Sequence, residues 1–218
     1  AGAEFVESDC YLTRDGVVVL FHDDNLQRVL GDPRTLLQVD ASELRALMES
    51  RGGLITLEEA LVRFPNTRFN IDVKADTAVQ AVGPIVASHA ERVLLTAFSD
   101  ARRRTAMAAI MRAGANQRPA ASPGTFTVVK LVIAVWLRAR WLAARTLRGI
   151  DAVQIPERQG RLRVLSPRLI AMAHELGIEV HVWTVNESDD MRRLLDAGVD
   201  GIVTDRPDVA LQVVAERK

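Results

Sequence analysis

The chain has 218 residues, enough for one domain with a sizeable core, and its 28 Lys and Arg balance 28 Asp and Glu. That neutrality excludes a general nucleic-acid binder, which carries a basic excess. A single cysteine, Cys10, excludes an internal disulfide framework and fits a reducing, cytoplasmic compartment.

No charged-then-apolar leader opens the sequence. It begins Ala1-Gly2-Ala3, which reads as a helix-to-strand connection, so the expectation is that the natural start lies upstream. Residues 5–9 (Phe-Val-Glu-Ser-Asp) and 17–23 (Val-Val-Val-Leu-Phe-His-Asp) then read as short apolar strands ending in polar residues. Side chains alternate along a strand, so Glu7 and Asp9 share a face and Cys10 takes the other, as a small core residue. Two adjacent carboxylates repel unless a cation or a donor offsets them, and a hard divalent ion, Mg²⁺ or Ca²⁺, suits such a pair. His22 closes the second strand, where an imidazole can serve as acid or base. Taken alone, Glu7 and Asp9 read first as solvated strand-end residues and His22 as a loop histidine.

Residues 24–40 are polar and turn-rich, with Gly31-Asp32-Pro33 the clearest turn. Helices are expected over 41–48 and 56–64, the second opened by a Thr56 and Glu59 capping box. Residues 68–74 form a third strand on which Asp72 and Lys74 again share a face. Three strands therefore bring a carboxylate pair, a histidine and a carboxylate with a lysine to their C-terminal ends. Parallel α/β sheets bind ligands at that edge, and this charge set suits a metal-held phosphate.

A helix over 77–90, a strand over 93–98 and a helix over 100–113 capped by Ser99 come next. Two prolines and a glycine weaken the strand expected within 116–125. Residues 126–147 are apolar in the first half, with Arg138, Arg140 and Arg145 further on and Arg148 just beyond. The run is too short to span a membrane. It reads as a buried helix or, second, as a basic amphipathic helix in contact with an interface through 128–148. Regular alternation returns with strands over 151–155, 178–185 and 201–205. The helices between and after them start at Ser166-Pro167, at Ser188 as a cap, and at Pro207. Strand-helix alternation with no linker predicts a parallel sheet in one domain, 1–218, and closed as a (β/α)8 TIM barrel.

Seven segments in this order resemble the glycerophosphodiester phosphodiesterase family: Glu7-Ser8-Asp9, Thr13-Arg14-Asp15-Gly16, Phe21-His22-Asp23, Thr56-Leu57-Glu58-Glu59, Asn70-Ile71-Asp72-Val73-Lys74, Val182-Trp183-Thr184-Val185-Asn186 and Gly201-Ile202-Val203-Thr204-Asp205-Arg206-Pro207. The resemblance implies a TIM barrel that hydrolyses glycerophosphodiesters to glycerol 3-phosphate and an alcohol with a divalent cation. It implies Glu7, Asp9 and Asp72 as metal carboxylates, the last more often Glu in the family. His22 matches one of two catalytic histidines and Lys74 the phosphate-contacting lysine. Trp183 resembles an aromatic at the barrel mouth, with a plain core tryptophan as the other reading. The family's opening His-Arg-Gly strand and its Pro-Glu-Asn-Thr segment do not occur here. The expectation is therefore a barrel lacking its first β/α unit and the second histidine. Headgroup release from lysophospholipids, and an inactive fragment that only binds phosphodiesters, are the alternatives.

Overall fold

A computed structural model of the chain describes residues 2–217. They form two compact units, one of residues 5–120 and the other of residues 121–217 with the first few residues.

In the first unit, β1 (Phe5–Leu12) and β2 (Val18–Leu20) pair antiparallel, with Cys10 opposite Leu20 and Leu12 opposite Val18. The reversal is built by the Thr13–Gly16 turn. The Thr13 hydroxyl donates to Asp15 Oδ1 at 2.5 Å, and Gly16 takes φ +82°, where a side chain would be strained. The second strand is thus a hairpin return, where strand-helix alternation predicts a parallel neighbour. Short helix α1 (Gln27–Leu30) and α2 (Ala41–Met48) follow, the latter over the expected span. Val19, Phe21, Leu26, Leu36, Val39 and Leu44 form a small core with the hairpin.

Helix α3 (Leu57–Arg63) opens with the expected box: Glu59 N–H donates to Thr56 Oγ1 at 3.1 Å, and Thr56 N–H donates back to Glu59 Oε2 at 2.9 Å. Strand β3 (Arg68–Val73) lies parallel to β1, from Phe5 opposite Arg68 to Cys10 opposite Val73. Helix α4 (Val79–Ala87) leads to β4 (Val93–Thr96), parallel to β3, and then to α5 (Asp100–Arg112), capped by Ser99. One face of this sheet is apolar. Cys10, Phe69, Ile71 and Val73 pack with Val79, Val82 and Val86 of α4 and with Ala106 and Ile110 of α5. Alternation therefore turns Glu7, Asp9, Asn70 and Asp72 to the face away from the helices.

Strand β5 (Ala120–Ala121) is two residues long, as its proline-rich surroundings dictate. In the second unit, the segment expected as one buried helix is two, α6 (Thr125–Trp136) and α7 (Arg140–Thr146). The break is a Schellman turn. Ala139 N–H donates to Ala134 O at 2.9 Å, Arg138 N–H to Val135 O at 3.2 Å, and Arg138 sits at φ +56°. Beyond β6 (Ala152–Ile155), β7 (Arg158–Gln159) and β8 (Leu162–Arg163) make a small hairpin. Then come α8 (Pro167–His174), β9 (Glu179–Val182), α9 (Ser188–Asp196), β10 (Gly201–Ile202) and α10 (Pro207–Ala215). Strands β10, β9 and β6 are parallel in that order. Ser166 caps α8 as expected, accepting from Leu169 N–H at 3.2 Å. Ser188, expected as a cap, is instead the first residue of α9, with Glu187 before it. Among the described residues no helix is long and apolar enough to cross a membrane.

Candidate active site

The first unit gathers five titratable side chains: Glu7, Asp9 and Asp72 on one face of the parallel ladder, Lys74 just past its C-terminal end, and His22 in the bend after β2. Register sets their order: Glu7 stands opposite Asn70, and Asp9 opposite Asp72. Asp9 and Asp72 are both buried, with side chains 8% and 9% exposed. Buried carboxylates need compensation, and Lys74 supplies it. Its Nζ lies 2.5 Å from Asp72 Oδ2 and 3.1 Å from Asp9 Oδ1, and it rests 4.6 Å from the centre of the Phe98 ring. Burial works against the ammonium, but Asp72 and Asp9 outweigh it and raise its pKa.

One lysine does not neutralise three carboxylates. Glu7 is open to solvent on one side, yet its carboxyl is crowded. Burial first, then the charges of Asp9 and Asp72, push its pKa up to about 7 against the pull of Lys74 and His22. Burial also raises Asp9, with Lys74 opposing and Asp72 adding. Two acceptors on the same face, Asn70 Oδ1 and Asp72 Oδ1, are buried without a hydrogen-bond partner. With all groups ionised, Glu7, Asp9 and Asp72 exceed Lys74 by two negative charges. A divalent cation fits both this deficit and the orphaned oxygens. As the side chains stand, no group of three or more His, Cys, Asp and Glu among the described residues is arranged around one ion position. Lys74 lies between Asp9 and Asp72.

His22 reaches this face through the hairpin. Phe21 N–H donates to Asp9 O at 3.1 Å, which sets the next residue beside the carboxylates, and the Glu7 and Asp9 carboxyls feel the charge of His22. Its ring is 76% exposed, and Nδ1 lies 2.7 Å from Asp23 Oδ1. Arg28 Nε in turn donates to Asp23 Oδ2 at 2.6 Å. His22 and Arg28 hold the Asp23 carboxyl below its ordinary pKa. A carboxylate at Nδ1 selects the tautomer protonated there and leaves Nε2 as the basic atom.

Cys10 lies in the core as expected, and burial pushes its thiol far above the ordinary range. Trp183 belongs to the other unit, half-buried just after β9. The remaining histidines have other duties: His174 bonds Asp200 at 2.8 Å, His181 bonds Glu179 at 3.0 Å, and His89 bonds Arg92 at 3.2 Å. Asn70, Phe98 and Asp23 are additions to the sequence reading. Asn70 was detectable by counting two back from Asp72. Phe98 was detectable only once β3 and β4 were known to be neighbours.

Glu7 gives a stability prediction for the metal-free protein. Its folded pKa of about 7 lies above the ordinary 4.5. Between those values the folded chain holds the proton more tightly, so stability falls as pH rises through that window. Glu7→Gln should therefore raise the melting temperature of chelator-treated protein at about pH 8 and leave it unchanged at about pH 4. Calorimetric melts at both pH values check this.

Comparison with known proteins bears on the family and the fold. The family model described as "Glycerophosphoryl diester phosphodiesterase family" matches residues 1–209. The "Probable glycerophosphodiester phosphodiesterase 2" of Mycobacterium tuberculosis is 37% identical over 219 residues, covering 99% of this chain and 81% of that protein. Human "Lysophospholipase D GDPD1" is 25% identical over 243 residues, 94% of this chain and 75% of its own length. Among solved structures, an Oleispira antarctica phosphodiesterase in complex with the product sn-glycerol-3-phosphate superposes with a TM-score of 0.70 at 17% identity, covering 98% of this chain and 86% of that one. The chain belongs to the glycerophosphoryl diester phosphodiesterase family. It has that family's TIM-barrel class of fold, and it is a hydrolase of glycerophosphodiesters.

Proposed function

We propose that the chain releases sn-glycerol 3-phosphate and an alcohol from small glycerophosphodiesters on the face built by Glu7, Asp9, Asn70, Asp72 and Lys74. The observation that carries this is the in-register pair Asp9 and Asp72 bridged by Lys74, beside an excess of carboxylate and two orphaned oxygens. The product seen with the Oleispira antarctica relative has the matching chemistry.

Glu7, Asp9 and Asp72 would hold a divalent cation, Mg²⁺ or Ca²⁺, with Asn70 Oδ1 as a neutral oxygen donor. When bound, the cation polarises a phosphoryl oxygen and offsets its charge. Lys74 spends two of its three N–H donors on Asp9 and Asp72, which leaves one for a phosphate oxygen. Phe98 holds the ammonium in a cation–π contact, its ring centre 4.6 Å from Nζ. His22, held through Nδ1 by Asp23, takes a proton at Nε2 from the attacking hydroxyl or water and can return one to the leaving alkoxide. Trp183 is proposed as an aromatic contact for the substrate, supported by the Val182 to Asn186 motif.

Calorimetric titration of Mg²⁺ and of Ca²⁺ into chelator-treated protein tests the cation face. One binding site is expected, absent from an Asp9→Asn/Asp72→Asn double variant. Unchanged binding heat in that variant would remove the ion from this face.

A second reading, headgroup release from lysophospholipids, is favoured by the likeness to the human lysophospholipase D. Relative kcat/KM for glycerophosphocholine and lysophosphatidylcholine separates the two.

A further inference from the structure

Helix α6 has two apolar faces, and only one of them is packed. Leu131, Ala134 and Val135 are buried. Phe126, Val129, Ile133, Trp136 and Leu137, spaced three, four, three and one apart, fall within one arc of the opposite side, and all are exposed. Trp136 is 76% exposed, and Trp141, at the start of α7 just past the Arg138 corner, is 70% exposed. Six large apolar side chains on one helix and its corner exceed the scattered exposure normal for a soluble surface.

The charge around them has one sign. Residues 121–150, the part of the second unit that carries α6 and α7, hold five Lys or Arg and no Asp or Glu. Arg140 is paired, 3.4 Å from Glu175. Among the described residues Lys130, Arg138, Arg145 and Arg148 are all exposed, and none has an ion-pair partner. Lys130 lies on the apolar arc itself, its Nζ 4.3 Å from the centre of the Phe126 ring. Arg138 holds the left-handed position of the Schellman turn, where glycine would be unstrained. The corner therefore keeps a cation at a conformational cost.

From this we infer that α6 and the α6–α7 corner dock in the plane of an anionic lipid surface. Phe126, Val129, Ile133, Trp136, Leu137 and Trp141 enter the headgroup boundary, and Lys130, Arg138, Arg145 and Arg148 meet lipid phosphates. A twelve-residue helix is too short to cross a bilayer but suits lying in its interface. Tryptophans at that depth satisfy an apolar body and a polar N–H together, and long cationic side chains reach outward from buried stems. A second copy is disfavoured as occupant, because a two-fold contact would set the unpaired Lys130, Arg138, Arg145 and Arg148 against their own copies. The inference is independent of which face carries out hydrolysis.

The test is sedimentation of the full chain with vesicles of phosphatidylcholine, with and without phosphatidylglycerol, alongside size-exclusion chromatography and melting. Binding to the anionic vesicles should exceed binding to neutral ones about tenfold and weaken with salt. Trp136→Ser/Trp141→Ser should reduce it about tenfold. Arg138→Gly/Arg145→Gln should do the same, with a melting temperature equal to or above the parent's, since the glycine relieves the corner. Turnover of water-soluble glycerophosphocholine should be unchanged in both variants. Equal binding to neutral vesicles, no binding to either, or a concentration-dependent dimer abolished by the tryptophan substitutions would each overturn the inference.

Discussion

Replacing Lys74 by Met should lower both stability and turnover steeply. The motif alone suggests a lysine reserved for phosphate, because side chains two apart on a strand run in parallel. The long lysine instead folds onto Asp72 at 2.5 Å and Asp9 at 3.1 Å, so it carries a structural duty as well. Both carboxylates are buried, and breaking such a cluster from the cationic side costs about 3–5 kcal/mol. Loss of the phosphate donor should reduce kcat/KM by on the order of 10²–10³. A double-mutant cycle separates the two duties. Lys74→Met/Asp9→Asn should recover much of the lost stability, since one unpaired charge is gone, and none of the lost turnover. Urea unfolding and steady-state kinetics on the same preparations decide. If Lys74→Met keeps full stability, the bridge contributes nothing. If the double variant regains turnover, the lysine has no role with phosphate.

His22→Gln should do the reverse, removing activity and sparing the fold. The ring is 76% exposed and its one partner, Asp23, stays tied to Arg28. Stability should change by no more than about 0.5 kcal/mol. Loss of proton transfer should lower kcat about 10²–10⁴-fold with KM little altered. Asp23→Asn should cost less, because it disturbs the tautomer and the ring orientation but leaves the base in place. An unchanged kcat in His22→Gln would place the proton transfer elsewhere.

The site was legible where strand alternation governs it. Phe69, Ile71 and Val73 fall on one face and Asn70 and Asp72 on the other in the sequence as in the sheet, and the same count pairs Glu7 with Asp9. The Thr56 and Glu59 box and the Ser166-Pro167 start were equally readable, since caps are local chemistry. The direction of β2 was not. It depends on the Thr13 hydroxyl closing a turn onto Asp15 and Val17, which a strand-by-strand reading passes over. The route by which His22 reaches Asp9 was hidden with it. Helical periodicity also fails to say which of two apolar faces is packed. The 126–147 segment shows why: Leu131 and Val135 are covered while Phe126, Ile133 and Trp136 are not. A left-handed Arg138 that splits the helix has no sequence signal of the kind glycine gives.

The most direct measurement is release of sn-glycerol 3-phosphate from glycerophosphocholine by the purified chain, with and without a chelator, beside Asp72→Asn. Asp72 is the residue that touches Lys74 and also carries an orphaned buried oxygen. The expected result is release that needs Mg²⁺ or Ca²⁺, stops with the chelator, and falls at least about 10²-fold in Asp72→Asn. Release that continues at full rate in the chelator, or in Asp72→Asn, would contradict the placement of the reaction on this face.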